Sequence, residues 1–309
     1  MGSHDQWAAV PIEPLTGALW AWHAPRRMRD MWMPRPELMS LYWMTAGMFP
    51  GLGEISRFDI RDRVGSAARA GFTGIGLWHT DLEHILATWS LRDLRALLDD
   101  HGIRHLELEF LTDWFLTGVR RAASDERRKR LLAASSALGA KHVKVGDFDN
   151  SPYEMPRLID AFGQLCAEAQ THGATIGFEF MGSAMLNTLP AALAMVEGAA
   201  APNGGLIVDI VHAVNLGISY DAIARIPNRY LIGAELNDGL LPRADRQHDA
   251  GQRRFCGDGE FDIGGFIGAI RATGYSGPWG VEVFAHALDG LPLDEINRTA
   301  FDTTIAQFS

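Results

Sequence analysis

The sequence predicts a (β/α)8 barrel preceded by an irregular extension, and three observations support this fold class. Eight short β-like runs alternate with helical patterns along the 309 residues, and eight βα units in a chain of this length are typical of a closed parallel barrel. The helical patterns end at glycines just before the next run, as at Gly102, Gly173 and Gly274. No G-x-G-x-x-G follows the first run, which makes a doubly wound open sheet the second choice.

The predicted strands follow one another with room for a helix between them. In chain order they cover 40–49, 72–79, 105–111, 142–148, 175–181, 205–212, 231–239 and 278–284. The segments between them have helical periodicity. In 156–172, for example, one face carries Leu158, Phe162, Leu165, Cys166 and Ala169.

Two segments do not fit this alternation. Residues 1–38 contain four tryptophans and five prolines, and such aromatic content is unusual for a disordered tail. We therefore expect an N-terminal arm over 1–38 that lies on the barrel or on a neighbouring subunit of a homo-oligomer, and a catalytic barrel over 39–309. The long connection 240–260, after the seventh strand, is of a kind that usually carries function at a barrel's C-terminal rim.

The overall composition excludes several classes of protein. A formal net charge of −10 argues against binding to nucleic acid, which needs a basic surface. Two cysteines cannot form a disulfide framework, and neither a membrane-length apolar run nor a signal-peptide pattern is present. The sequence thus predicts a cytoplasmic protein without a membrane partner.

Each of the last four predicted strands carries an acidic residue on the same side, in its last half. These residues are Glu179, Asp209, Glu235 and Glu282. Because side chains alternate along a strand, their apolar neighbours face the helices while the acids face the barrel interior. Buried carboxylates that lie close together need a compensating cation, and a divalent metal is the simplest one. The alternative is that each acid pairs with a nearby Lys or Arg.

Several motifs in this half of the chain resemble a known family. In order, they are G-F-E-F, V-D-I-V-H, E-L-N-D-G, R-R-F-C-G-D-G-E-F-D and G-P-W-G-V-E-V. They are similar to the xylose isomerase-like TIM barrels of the sugar phosphate isomerase/epimerase family. The resemblance covers about 50 to 300, with its sharp motifs beyond 175. It implies that Glu179, Asp209 and Glu282 bind a divalent metal.

The seventh strand departs from that family, in which a His or Gln completes the ligand set. This chain has Glu235 at the position. Four carboxylates form an all-oxygen site, which favours Mn²⁺, with Mg²⁺ or Co²⁺ as alternatives, over Zn²⁺. Either one acid stays protonated, or His212 or water replaces Glu235; we favour Glu235 as a ligand.

His212 and five residues elsewhere are candidates for contact with the substrate. His212 follows Asp209 by an odd offset, so we expect it just past the strand, on the rim, and the resemblance implies that it contacts a substrate oxygen. Trp78 could stack on a sugar ring. Lys144 could bind a substrate oxygen or neutralise an acid across the barrel. The expected substrate-binding residues are Trp78, His79, Glu109, Lys144 and Arg254.

The hypothesis is therefore a metal-dependent isomerase or epimerase that acts on a keto-sugar or related polyol through an enediolate, with Glu179 and Glu282 as the acid/base pair. The alternative is a lyase or dehydratase that eliminates a β-leaving group from the same intermediate. An apurinic endonuclease of this fold would need several inward histidines and a basic groove, which the sequence lacks. A non-catalytic partner-binding barrel would leave the acids unexplained.

Overall fold

Eight parallel strands form a closed barrel in which every strand pairs with its sequence neighbours and the last pairs with the first. The computed structural model describes residues 35–48, 51, 53–242, 252–284 and 288–309. The predicted (β/α)8 architecture is confirmed. The described residues Pro36–Phe308 form one compact unit.

The strands are short, and seven of the eight lie within the predicted runs or one residue beyond them. They are β1 (Leu38–Ser40), β2 (Gly74–Trp78), β3 (His105–Leu111), β4 (His142–Val145), β5 (Thr175–Glu179), β6 (Gly204–Asp209), β7 (Leu231–Leu236) and β8 (Trp279–Val281).

Helices connect consecutive strands on the outside of the barrel. They are α1 (Tyr42–Ala46), α2 (Ile60–Ala70), α3 (His79–Leu86), α4 (Leu91–Asp100), α5 (Gly118–Leu138), α6 (Met155–Thr171), α7 (Leu189–Ala199), α8 (Ile210–Asn215), α9 (Tyr220–Ile223), α10 (Ile263–Ala272) and α11 (Leu293–Ala306), with a 3₁₀ turn at Asn228–Tyr230. The predicted face of 156–172 is buried in α6. Gly102, Gly173 and Gly274 have positive φ, as helix-ending glycines require.

The first strand was predicted over 40–49, and these bounds are wrong. The strand covers only Leu38–Ser40, and Tyr42–Ala46 is a helix that ends at Gly47, in the left-handed region. A short, continuous apolar run has no periodicity that separates a buried strand from a buried helix, which explains the error. The end of the predicted arm, from residue 36, belongs to the barrel unit; residues 1–34 lie outside the described part, so burial of the arm stays a prediction.

The apolar core lies between the strands and the helices. Ile176, Phe178 and Val208, which alternate with the acids, are fully buried in it. Both cysteines are buried and free. In the described part of the chain, no helix has the length and hydrophobicity that a membrane span requires.

Strand register brings the acids to one level of the barrel. Asp209 pairs with Glu235, and Glu235 pairs with Gly280 on the next strand. A side chain at Gly280 would collide with Glu235 Cγ, at 2.9 Å, so glycine leaves the space that this carboxylate uses. The closed sheet thus directs the strand-end carboxyl groups into a common space.

Candidate active site

The four acids predicted from the later strands converge at the C-terminal ends of β5 to β8. Glu179 and Asp209 end their strands, Glu235 is next to last in β7, and Glu282 follows β8 directly. All four are buried, and one oxygen of each lies within 4.8 Å of the others. Glu179, Asp209 and His212 form a second, overlapping group with the same spacing.

Asp209 is held in place by neighbouring side chains and backbone. Its Oδ1 accepts hydrogen bonds from Asn237 Nδ2 at 2.8 Å and from the Val211 backbone at 3.0 Å. Hydrogen bonds of this kind orient the carboxylates that ligate metals. Asn237 was not among the predicted site residues.

A buried arginine joins two of the acids. Arg253 Nη1 lies 2.7 Å from Asp209 Oδ2 and also donates to Glu282 Oε2. Its guanidinium lies over the Phe284 ring, 4.2 Å from the centroid. Arg253 thus neutralises part of the charge and fixes both carboxylates.

The loop that carries Arg253 is organised by Asp238. The Asp238 carboxylate accepts hydrogen bonds from the backbone of Gly257, Gly259 and Phe261, at 2.9 to 3.0 Å. Its backbone pairs with that of Arg254 in an isolated antiparallel bridge. This arrangement turns Arg253 inward and Arg254 outward.

Lys144 on β4 supplies the second buried cation. Its Nζ lies 2.7 Å from Glu235 Oε1 and 3.0 Å from Glu107 Oε1. Distances of 3.4 to 3.9 Å separate it from Glu109, Glu179 and Glu282. Lys144 therefore lies among carboxylates inside the barrel.

Burial and neighbouring charges shift the pKa values of the acids in different directions. Burial opposes ionisation of Glu179, but Lys144, His212 and Arg253 outweigh it and lower the pKa of this carboxyl to about 2. Burial, joined by the other acids, raises the pKa of Glu235 well above its usual value despite Lys144. Burial likewise raises the pKa of Glu282, against the effect of Arg253. Glu179 is accordingly the anionic member of the predicted acid/base pair.

The residues present fit a divalent metal. Six buried carboxyl groups, from Glu107, Glu109 and the four converging acids, lie around the buried cations Lys144 and Arg253. Two buried histidines also contact this group, His142 at Glu107 and His212 at Glu179. Both carboxylate oxygens of Glu235 are buried and accept no hydrogen bond from the described residues. The Lys144 ammonium is near one of them, but its direction does not suit a hydrogen bond. An oxygen-rich, incompletely neutralised set of this kind is suited to a hard cation.

His212 lies beside this group. It is in α8, just past the end of β6, as its offset from Asp209 predicted. Its Nε2 is 3.4 Å from Glu179 Oε1, and the side chain is buried at the edge of a cavity.

A cavity of about 560 Å³ opens over the acids. Glu109, Glu179 and Glu282 line it, together with His212 and Arg253. Its other lining residues include a group that we call the aromatic wall: Trp43, Trp78, Phe110, Phe148 and Phe284. A cavity of this size is in the range that binds small organic ligands.

The structure brings some of the predicted substrate-binding residues to this cavity and not others. Trp78 and Glu109 line it. His79 and Lys144 are not among its lining residues; the His79 ring lies beside Trp78, with ring centroids 5.5 Å apart and planes tilted by 35°. Arg254 is exposed and donates to the Asp258 carbonyl. Among the described residues, the arginine that lines the cavity is Arg253. The sequence had predicted its neighbour Arg254 instead.

Several known proteins are similar to this chain. A family described as "Xylose isomerase-like TIM barrel" matches residues 64–304. A 3-dehydroshikimate dehydratase of Pseudomonas aeruginosa is 31% identical over 247 residues, which is 74% of this chain but 38% of that protein. An inosose isomerase of Bacillus velezensis is 24% identical, over 74% of this chain and 84% of that protein. The chain thus spans less than two fifths of the dehydratase.

Solved structures share the fold. The structure described as IOLI protein with a binding zinc atom has a TM-score of 0.77 at 21% identity, over 88% of this chain and 97% of that one. A D-allulose 3-epimerase from Methylomonas sp. in complex with D-allulose has a TM-score of 0.67 at 19% identity, over 89% and 98%.

The extent of the family match and the names of the relatives show which kind of protein this is. The family covers most of the barrel, including every strand from β2 to β8. Relatives named as dehydratase and isomerase identify an enzyme of this fold. The chain belongs to the xylose isomerase-like TIM barrel family.

Proposed function

We propose that this barrel is a divalent-metal-dependent isomerase or epimerase that moves a proton next to the carbonyl group of a keto-sugar or related polyol. The observation that carries the proposal is the convergence of Glu179, Asp209, Glu235 and Glu282, within 4.8 Å of one another, beside an open cavity. Ion pairs between the acids and Lys144 or Arg253 do not by themselves explain the cluster. Both carboxylate oxygens of Glu235 are buried and accept no hydrogen bond from the described residues.

The four acids would hold the metal. When bound, a divalent ion supplies Lewis acidity that makes a C–H next to a carbonyl more acidic and stabilises the enediolate of the substrate. The oxygen-only set favours Mn²⁺, with Mg²⁺ or Co²⁺ as alternatives. Asn237 and Arg253 would keep Asp209 oriented toward the ion, since both already contact its carboxylate.

Glu179 and Glu282 would exchange protons with the substrate. The ionised Glu179 would be the base, and Glu282, whose pKa burial raises above its usual value, would return a proton. If the two act on opposite faces of one carbon, the product is an epimer. If Glu179 alone removes and returns the proton, a ketose and an aldose interconvert. His212, 3.4 Å from Glu179, would donate a hydrogen bond to a substrate oxygen.

A dehydratase is the second candidate, and a specific observation favours it. The two Pseudomonas relatives named 3-dehydroshikimate dehydratase are 31% and 27% identical to this chain, whereas the inosose isomerases are 24% identical. Elimination begins with the same proton abstraction by Glu179. It then needs an acid to protonate the departing hydroxyl, and Glu282 or His212 could supply that proton.

Mass analysis of the products separates the two candidates. Inososes, ketohexoses and 3-dehydroshikimate would be incubated with the metal-loaded enzyme. An isomerase or epimerase yields a product of unchanged mass, while a dehydratase yields one that is lighter by one water. Absence of any product from all three classes would count against both candidates. We also propose that the substrate is a small-molecule carbohydrate and that the protein is cytoplasmic.

A further inference from the structure

One carboxylate at the cavity has no part in the proposed reaction. Glu54, in the connection between α1 and α2, lines the cavity together with Glu109, Glu179 and Glu282. Those three are buried and form what we call the floor of the cavity, whereas Glu54 is exposed at its mouth. Among the described side chains, only that of Thr80 donates a hydrogen bond to the Glu54 carboxylate. Glu54 therefore keeps hydrogen-bond acceptor capacity at the open side of the cavity.

Three hydrogen bonds hold Glu54 and the segment that follows it. Thr80 Oγ1 donates to Glu54 Oε2 at 2.6 Å, and the Tyr42 hydroxyl donates to the Glu54 backbone carbonyl at 2.7 Å. Two residues later, the Ser56 backbone N–H donates to Oδ1 of the buried Asp81 at 2.9 Å. An acceptor that is already held in place loses less conformational entropy when a ligand binds than a mobile one does. The second oxygen of the carboxylate, Oε1, is thus presented to the cavity by a fixed segment.

Tyr42 connects the mouth of the cavity to its floor. Its hydroxyl contacts the Glu54 carbonyl, and its backbone N–H donates to Glu109 Oε1 at 3.3 Å. Glu109 belongs to the floor, where its Oε2 lies 3.4 Å from Lys144 Nζ. The backbone of Glu54 is therefore separated from the floor by about the length of one tyrosine residue. A six-membered polyhydroxylated ring with its carbonyl group at the floor would place its remote hydroxyl groups at the level of Glu54.

A carboxylate in this position suits a hydroxyl group as its partner. A hydroxyl group that donates to an ionised carboxylate forms a hydrogen bond that is shorter and stronger than one between two neutral groups. When a ligand lacks the hydroxyl group, it displaces water from the carboxylate without replacing the hydrogen bond, which lowers affinity. A carboxylate at the mouth can therefore distinguish a substrate that carries the hydroxyl group from one that lacks it.

We infer that Glu54 is a specificity-determining residue, which accepts a hydrogen bond from a substrate hydroxyl group remote from the reacting carbonyl. The inference rests on the proposed function for the position of the carbonyl group, which would lie at the floor. Thr80 and Tyr42 are positioning residues in this arrangement, because they hold the Glu54 side chain and backbone. The substrate class is thereby narrowed to keto-sugars or keto-polyols that keep a free hydroxyl group at that remote position.

A cycle that removes the carboxylate and the hydroxyl group separately and together tests the inference. Inososes and ketohexoses would be compared with their monodeoxy derivatives, each of which lacks one hydroxyl group. In the parent protein, removal of one particular remote hydroxyl group should lower kcat/KM by about 10-fold, as expected for the loss of a hydrogen bond to a charged group. In Glu54→Ala the same removal should cause no further loss, because its partner is already absent. Equal effects of every deoxygenation in parent and variant would overturn the inference.

Further variants separate recognition by Glu54 from a general effect of losing a surface charge. Glu83→Ala is the matched control, since Glu83 pairs with Arg130 at the surface and does not line the cavity; it should keep the parent discrimination. Glu54→Gln keeps a neutral acceptor and should retain part of it. Metal content should equal that of the parent in every variant, because Glu54 is not one of the converging acids. Loss of discrimination in Glu83→Ala as well would contradict a specific role of Glu54.

Binding without turnover keeps the two proposals separate. Calorimetry with inositols and hexitols, and with their monodeoxy derivatives, measures recognition of hydroxyl groups in ligands that have no carbonyl group. Discrimination by the parent that is lost in Glu54→Ala, with no reaction of any ketone, would support the inference and count against the proposed function. Turnover of the ketones without discrimination at any hydroxyl group would do the reverse. Neither binding nor turnover with any of these compounds would contradict both proposals.

Discussion

Lys144 Nζ lies 2.7 Å from Glu235 Oε1, inside the closed barrel. The two residues belong to β4 and β7, which are not neighbours in the sheet, so their side chains meet across the barrel interior. Glu235 stands where the family resemblance implies a neutral His or Gln ligand. The ammonium lies next to this additional carboxyl group and offsets the negative charge of the carboxylates around it.

This pairing predicts a stability defect when Lys144 is replaced. Lys144→Met should lower the free energy of unfolding of the metal-free protein by about 3–5 kcal/mol, because it leaves buried carboxylates without their nearest cation. Lys129→Met is a matched control, since Lys129 pairs with Glu126 at the surface, where water and salt screen an ion pair and its loss has little effect on stability. Urea denaturation in the presence of chelator measures both. Equal midpoints for Lys144→Met and the parent protein would show that the ammonium does not offset this charge.

The metal site itself is tested by ligand removal. The double substitution Glu179→Ala and Glu282→Ala should abolish bound divalent metal in elemental analysis, because it removes two of four converging carboxylates. Glu295→Ala, on the exposed face of α11, should retain the parent content. Full occupancy in the double variant would rule out the site.

The oxygen-only ligand set predicts which metal restores activity. Apo-protein reconstituted with a series of divalent ions should recover most turnover with Mn²⁺ or Mg²⁺, since hard carboxylate oxygens suit these ions. Activity and bound metal would be measured for each ion. A strong preference for Zn²⁺ would mean that a nitrogen ligand takes part, with His212 the first candidate.

His212 is predicted to orient the substrate and not to be a principal ligand. His212→Ala should reduce kcat by roughly 10²–10⁴-fold while the metal content stays unchanged. The reason is that His212 lies past the strand end, at the cavity, with Nε2 3.4 Å from Glu179 Oε1. If the metal is lost as well, His212 belongs to the ligand set.

The acid cluster could be predicted from the sequence because each acid is recognised from the residues next to it. Each acid alternates with buried apolar residues on one short strand, and a parallel barrel brings all strand ends to one rim. The position of His212 followed from its offset to Asp209. Both arguments need only the period of a strand and the topology of the fold.

What the sequence could not predict depends on contacts between distant segments. Choosing Arg253 over Arg254 requires the backbone bridge to Asp238 and the hydrogen bonds of its carboxylate. The role of Lys144 appears only when β4 faces β7. The aromatic wall joins Trp43 to Phe284, more than two hundred residues apart in sequence.

Hydrogen exchange at the substrate tests the central claim most directly, because isomerase, epimerase and dehydratase share the abstraction of a proton next to a carbonyl. Metal-loaded enzyme incubated with keto-sugars in D₂O should introduce deuterium at that carbon, as followed by NMR, whether or not product accumulates. Glu179→Gln combined with Glu282→Gln should lose the exchange while keeping the fold. Absence of exchange with every keto-sugar, keto-polyol and oxidised glycoside tested would contradict the enediolate mechanism and the roles given to Glu179 and Glu282.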